Sequence, residues 1–173
     1  MTGSDTLNRY DEEKEALDMA FEQIVKPEQW IVSQTFTVRV EEIPQTIGPT
    51  FMKLGGLIQE KEVQILSTPF VSYKNMEDEG KLDESAIEME VGFPVAEKVE
   101  VPSEVDCYFL PSYRALSVLY VGRYEDMTGI YLEMLEEIKN IGGKFLGISY
   151  EYYLSDEEIP MEKQETILEL VYE

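Results

Sequence analysis

Residues 145–154 read FLGISYEYYL and residues 166–172 read TILELVY. Both segments have strand composition, and the polar, proline-bearing stretch between them marks a loop around Pro160. Successive side chains on a strand point to opposite faces. Ile148, Tyr150, Tyr152 and Leu154 therefore share one face, and Ser149, Glu151 and Tyr153 share the other. Upstream, Gly142-Gly143 closes a helix over 127–138, where Met127, Ile130, Tyr131, Met134, Leu135 and Ile138 form one apolar stripe. Residues 114–121 (RALSVLYV) precede that helix as a strand. The order is strand, helix, strand, strand.

The same order occurs earlier in the chain. Residues 34–40 (QTFTVRV) place Phe36, Val38 and Val40 on one face, with Thr35, Thr37 and Arg39 on the other. Pro49 opens a helical run with Phe51, Leu54 and Ile58. Residues 69–74 (PFVSYK) form a strand, 75–84 a polar loop, and 86–93 (AIEMEVGF) a strand that stops at Pro94. The chain thus reads as tandem βαββ units over about 31–96 and 112–173, joined by an acidic linker at 97–112. Such a repeat fixes the architecture: an α+β fold with pseudo-twofold symmetry, antiparallel sheets, two helices on one side and a central groove on the other. Clefts at such junctions commonly hold small molecules. Before the repeats, Leu17, Ala20, Phe21 and Ile24 give 11–25 the spacing of a short amphipathic helix. Residues 1–30 form a helical arm on the domain at 31–173, and Trp30 packs that arm to the sheet, with a lid as the competing reading.

Composition narrows the function. The chain has 173 residues, 43% of them hydrophobic, enough for one domain with a core. Its 36 Asp and Glu against 14 Lys and Arg give a net charge of −22. That charge repels a phosphate backbone, which argues against direct nucleic-acid binding. It favours cationic ligands or a basic protein partner. There is no histidine and one cysteine, Cys107. This removes Ser-His-Asp and Cys-His catalysis and the usual zinc sites. No metal or cofactor is expected. A lone cysteine, no signal-like segment and no membrane-length apolar run point to the cytoplasm.

The second half resembles the GyrI-like domain, which also forms the effector-binding region of AraC-type and MerR-type multidrug regulators. The resemblance rests on residues 122–124 (GRY), Tyr131, 147–154 (GISYEYYL), the Pro160 loop and 165–170 (ETILEL). It implies a tandem βαββ fold with a ligand groove, and a groove glutamate matched by Glu151 that faces cationic or aromatic ligands. The chain departs from the pattern in three ways: no DNA-binding domain is attached, as in a stand-alone member; no proline ends the last strand; and Ile167 follows Thr166 where an acid is common.

The candidate ligand site is Glu151, Tyr153, Tyr131, Tyr113, Tyr73 and Thr166. A carboxylate among tyrosines attracts an organic cation by charge and by cation–π contact. The Ile148 face reads as the helix-covered core, which points Glu151 into the groove opposite. The competing reading of Glu151 is an ordinary exposed strand glutamate, and that of Tyr131 is core packing. Glu88 and Glu90 share a face and read as a solvated or rim pair. Gly55-Gly56 lacks the following Lys-Ser/Thr of a phosphate loop. Three functions follow: a binding protein for amphipathic small molecules; a hydrolase of cyclopropane-bearing natural products, with Glu151 and Tyr153 as the catalytic pair; or an acidic protein-interaction module such as a gyrase modulator. The last two come from the resemblance.

Overall fold

The computed structural model describes residues 21–156 and 158–173. Its elements are β1 (Glu22–Lys26), β2 (Gln29–Val38), α1 (Ile43–Glu60), β3 (Phe70–Tyr73), β4 (Ile87–Val95), β5 (Asp106–Leu110), β6 (Tyr113–Val121), α2 (Met127–Asn140), β7 (Phe145–Tyr153) and β8 (Glu165–Tyr172). The eight strands form one antiparallel sheet in the order β1-β6-β8-β7-β3-β4-β2-β5, curled into a half-barrel with two helices.

Every strand read from alternation is present, and two short ones were missed. The acidic segment read as a linker contains β5, which pairs with β2 from Gln29↔Leu110 to Ser33↔Asp106. The helix read over 11–25 lies mostly outside the described residues, and its last positions are strand: β1 pairs with β6 from Glu22↔Ser117 to Lys26↔Tyr113. The repeating unit is therefore ββαββ. Within each repeat the first strand crosses over, β1 onto β6 of the second repeat and β5 onto β2 of the first. Exchanging the repeats reverses the strand order onto itself, so the pseudo-twofold runs through the central β3–β7 pair. That pair fuses the two units into one sheet rather than two.

Two prolines lie inside elements that the sequence reading ended or began at them. Helix α1 starts at Ile43, with Pro44 in the first turn where no N–H is needed, and runs through Pro49. Pro49 deprives the Gln45 carbonyl of its usual donor. Pro94 lies within β4 opposite Ile31. Its carbonyl accepts from Leu66 N at 2.9 Å, on the side away from β2. The missing N–H faces that side too, so the β2–β4 ladder is intact.

Both helices cover the same face. Leu54 and Ile58 of α1 pack on Val32, Phe93 and Val95. The α2 stripe packs on Leu116, Val118, Leu168 and Leu170. On the other face Ile31, Phe70, Tyr150, Tyr152 and Val171 form a separate cluster, with Tyr108, Leu110 and Tyr113 against it. Its members come from both halves of the sheet, which is what the curl achieves. Glycine is needed at Gly92, where a Cβ would lie 2.9 Å from both Phe70 Cζ and Ser33 Cβ.

Candidate functional site

Glu151 lies at the middle of β7, directly opposite Val71 of β3 and Leu168 of β8. Leu168 belongs to the α2-covered cluster and Val71 to the cluster that takes in Ile43, Ile47 and Phe51 on the α1 side. Glu151 therefore faces the helices, at the junction of the two repeats. This corrects the face assignment: the helix-covered side of β7 carries Ser149, Glu151 and Tyr153, while Ile148, Tyr150 and Tyr152 pack on the other side. Alternation alone told which residues share a face, not which face is covered.

Glu151 is 6% exposed. Tyr131 Oη on α2 donates to Oε2 at 2.5 Å, and Tyr153 Oη donates to Oε1 at 2.7 Å. Among the described residues no lysine or arginine pairs with it. Burial raises its pKa above the usual glutamate range, and the two tyrosine hydrogen bonds oppose the rise without cancelling it. Burial, reinforced by the nearby Glu151 charge, in turn holds the Tyr131 and Tyr153 hydroxyls well above ordinary tyrosine, as sturdy donors. Tyr73, opposite Ser149 across β3–β7, is also pushed up, by burial and then by Glu151. Thr166 is opposite Tyr153 on β8. The Ser149 and Thr166 hydroxyls are buried there without a hydrogen-bond partner among the described residues.

The structure thus brings together Glu151, Tyr153, Tyr131, Tyr73 and Thr166. Tyr113 is elsewhere: it lies on the opposite face, stacked on Tyr150 with centroids 5.4 Å apart, and donates to Glu169 Oε1 at 3.1 Å. The sequence reading passed over Tyr124 as a site residue. It sits edge-on to Tyr153 at 5.4 Å, half exposed, and donates to Gln164 Oε1 at 2.6 Å. Its place in the 122–124 segment that carries the family resemblance was the available signal.

Glu90 is not a rim residue. Glu88 is exposed, but Glu90 is 2% exposed and pairs with Lys74 Nζ at 2.9 Å. Ser33 and Tyr108 also donate to it, at 2.7 Å and 2.5 Å. Glu169, 1% exposed, pairs with Lys26 Nζ at 2.9 Å. Both pairs lie on the face away from the helices. A cavity of about 270 Å³ on that face is lined by Thr35, Thr37, Glu88 and Lys74. Another of about 430 Å³ is lined by Val25, Arg114, Leu146 and Val171. Glu151 lines neither.

The chain belongs to the GyrI-like small molecule binding domain family, whose model matches residues 19–171. No curated protein is significantly similar to it in sequence. Among solved structures, the EcmrR C-terminal domain is similar with a TM-score of 0.75 at 16% identity, over 88% of this chain and 96% of that one. A protein from Listeria innocua described as a hydrolase has a TM-score of 0.63 at 13% identity, over 88% and 91%. SAV2435, solved bound to tetraphenylphosphonium, has a TM-score of 0.52 at 13% identity, over 88% and 93%. At these identities the structures establish the fold. No helix among the described residues is long and apolar enough to cross a membrane.

Proposed function

We propose that the chain binds amphipathic aromatic cations at the repeat junction, with Glu151 as the counter-charge and Tyr131, Tyr153 and Tyr73 as its walls. One observation carries this reading. A buried carboxylate normally comes with a cationic partner, because an unpaired buried charge is costly. Glu151 has two tyrosine hydroxyls and no side-chain cation among the described residues. A ligand cation supplies the missing charge, and the tyrosine rings add contacts of the cation–π kind. The net charge of −22 raises the local concentration of such ligands. The likeness to SAV2435, itself bound to tetraphenylphosphonium, supports the choice of ligand class.

The test is a calorimetric titration of wild type and Glu151→Gln with tetraphenylphosphonium and with the uncharged triphenylphosphine oxide. The cation should bind wild type and weaken at least tenfold on Glu151→Gln, about 1.4 kcal/mol. The neutral compound should not distinguish the two proteins. Equal cation binding to both would remove Glu151 from the site.

A second reading is hydrolysis. A carboxyl whose pKa is raised by burial, hydrogen-bonded to two tyrosines, has the makings of a general acid. The likeness to the Listeria innocua protein described as a hydrolase favours it. Recovery of bound esters and strained-ring compounds unchanged after prolonged incubation would argue for binding alone.

A further inference from the structure

Glu151 is buried and lines neither cavity, and the segment between β3 and β4 packs against the clusters on both sides of it. Met76 N donates to Gly147 O of β7 at 3.1 Å, and Val40 N donates to Glu84 O at 3.0 Å. These bonds fasten the two ends of the segment, one to each repeat. Between them, residues 77–83 bond, among the described residues, only within the segment: Glu77 N to Lys81 O and Gly80 N to Glu77 O, both at 2.8 Å, with Asp83 capping Ser85 and Ala86.

What holds this stretch down is apolar. Leu82, partly buried, packs against two clusters at once. One contains Tyr131; the other contains Val71 and Tyr73, with Tyr153 against it. Leu82 thus joins the α2-side cluster that contains Tyr131 to the cluster that contains Val71 and Tyr73. Gly80 has φ +76, and a Cβ there would lie 3.2 Å from Leu135 Cδ1 and 3.8 Å from Tyr131 Cβ, so the backbone lies close on α2. The polar residues of the apex, Glu77, Asp78, Glu79, Lys81, Asp83 and Glu84, are all exposed.

We propose that residues 77–83 are a hinged plug, in which Leu82 occupies the position between the helices that the apolar part of a bound cation takes, and that binding lifts it. This rests on Glu151 being the ligand carboxylate. Lifting the stretch breaks no backbone bond to another element among the described residues, so the barrier is the burial of one leucine and the contact at Gly80. The five acids at the apex flank the way in and attract a cation before it displaces the plug.

The experiment uses tetraphenylphosphonium and four proteins: wild type, Leu82→Ala, Glu151→Gln and the double variant. Leu82→Ala should bind about tenfold more tightly than wild type, and the double variant should lose that gain. In wild type, saturating ligand should speed amide hydrogen exchange of residues 77–83 several-fold. Wild-type binding that depends on Glu151, combined with unchanged or slowed exchange of 77–83, would overturn the plug and leave the site standing. Equal or weaker binding by Leu82→Ala would do the same. Binding indifferent to Glu151, or absent from every variant, would overturn the site reading and the plug with it. Should Leu82→Ala fail to fold, the exchange experiment on wild type decides.

Discussion

Val71 and Glu151 face each other across the central strand pair, and the pseudo-twofold passes between them. Counting through the strand registers from the matched starts of β2 and β6 makes these two residues counterparts in the two repeats. The same count pairs Tyr73 with Tyr153. The repeats therefore present two tyrosines in symmetric places, but only one carboxylate, set at the axis between the helices. A symmetric pair of acids at that spot would repel at close range. Valine opposite glutamate leaves a single negative charge with an apolar neighbour, the arrangement the proposed cation binding requires.

The two hydroxyls on Glu151 are what make its burial tolerable. Hydrogen bonds to charged groups contribute about 1.5–3 kcal/mol. Tyr131→Phe and Tyr153→Phe should each lower stability at neutral pH by about 2 kcal/mol, read from urea midpoints. Each should also push the Glu151 pKa further up, read by carbon-detected NMR titration. A Tyr131→Phe protein with unchanged Glu151 titration would mean that the 2.5 Å contact does not form in solution.

The raised Glu151 pKa fixes the sign of a pH effect. The unfolded chain loses this proton first, near the ordinary glutamate value of about 4.3. Between that value and the folded pKa the native state holds more protons, so stability falls as pH rises through the window. Glu151→Gln lacks this loss. Its stability relative to wild type should climb from about pH 4.3 upward and level off above the folded pKa, measured by urea unfolding at a series of pH values. Cation affinity should move oppositely: it should rise with pH over the same window in wild type and stay flat in Glu151→Gln. A wild-type affinity independent of pH would show that ligand and proton do not compete for Glu151.

The repeat was legible because hydrophobic periodicity marks long elements: the α2 stripe and the β6 and β8 strands were read within a residue or two. The edge strands were not. Each of β1 and β5 has five residues, too few for alternation to register, and each pairs with the opposite repeat, which no local pattern encodes. Glu151 was named through the family resemblance, and Tyr153 through the strand face it shares with Glu151. Their side of the sheet was not legible, because both faces of β7 are buried and aromatic: Tyr150 is 3% exposed and Glu151 6%. Glu90 was misread for a related reason. On the pattern it is one of two alternating acids, and only the fold brings Lys74, Ser33 and Tyr108 to one of them.

Gly92 tests how tightly the face away from the helices is packed. A methyl group there meets Phe70 and Ser33 at 2.9 Å and the Val32 carbonyl at 3.0 Å. The carbonyl belongs to the β2 backbone and cannot step aside. Gly92→Ala should therefore destabilise the protein by about 1–3 kcal/mol, as overpacking does, although alanine is the better strand residue. Thermal unfolding of this variant against wild type gives the answer, and equal midpoints would mean that β2 and β4 sit further apart than described.

The two buried acids on that face bind the crossed-over edge strands to the body of the sheet. Lys26 of β1 reaches past β6 to Glu169 on β8. Tyr108 of β5 reaches past β2 to Glu90 on β4. Removing the partner of a buried charge costs about 3–5 kcal/mol. The Lys26 side chain keeps 24% exposure, so water recovers part of that for Lys26→Met. Glu169 also keeps the hydroxyls of Tyr113 and Tyr152. Lys26→Met should therefore cost about 2–3 kcal/mol, near or below the low end of that range. Tyr108→Phe should cost about 1.5–3 kcal/mol for one charged hydrogen bond. The losses should be local as well as global: amides of β1 should exchange faster in Lys26→Met and those of β5 in Tyr108→Phe, with β3 and β7 protected in both. Loss of protection at β7 in either variant would mean that the edge strands stabilise the central pair directly, and the Glu151 site would then depend on both.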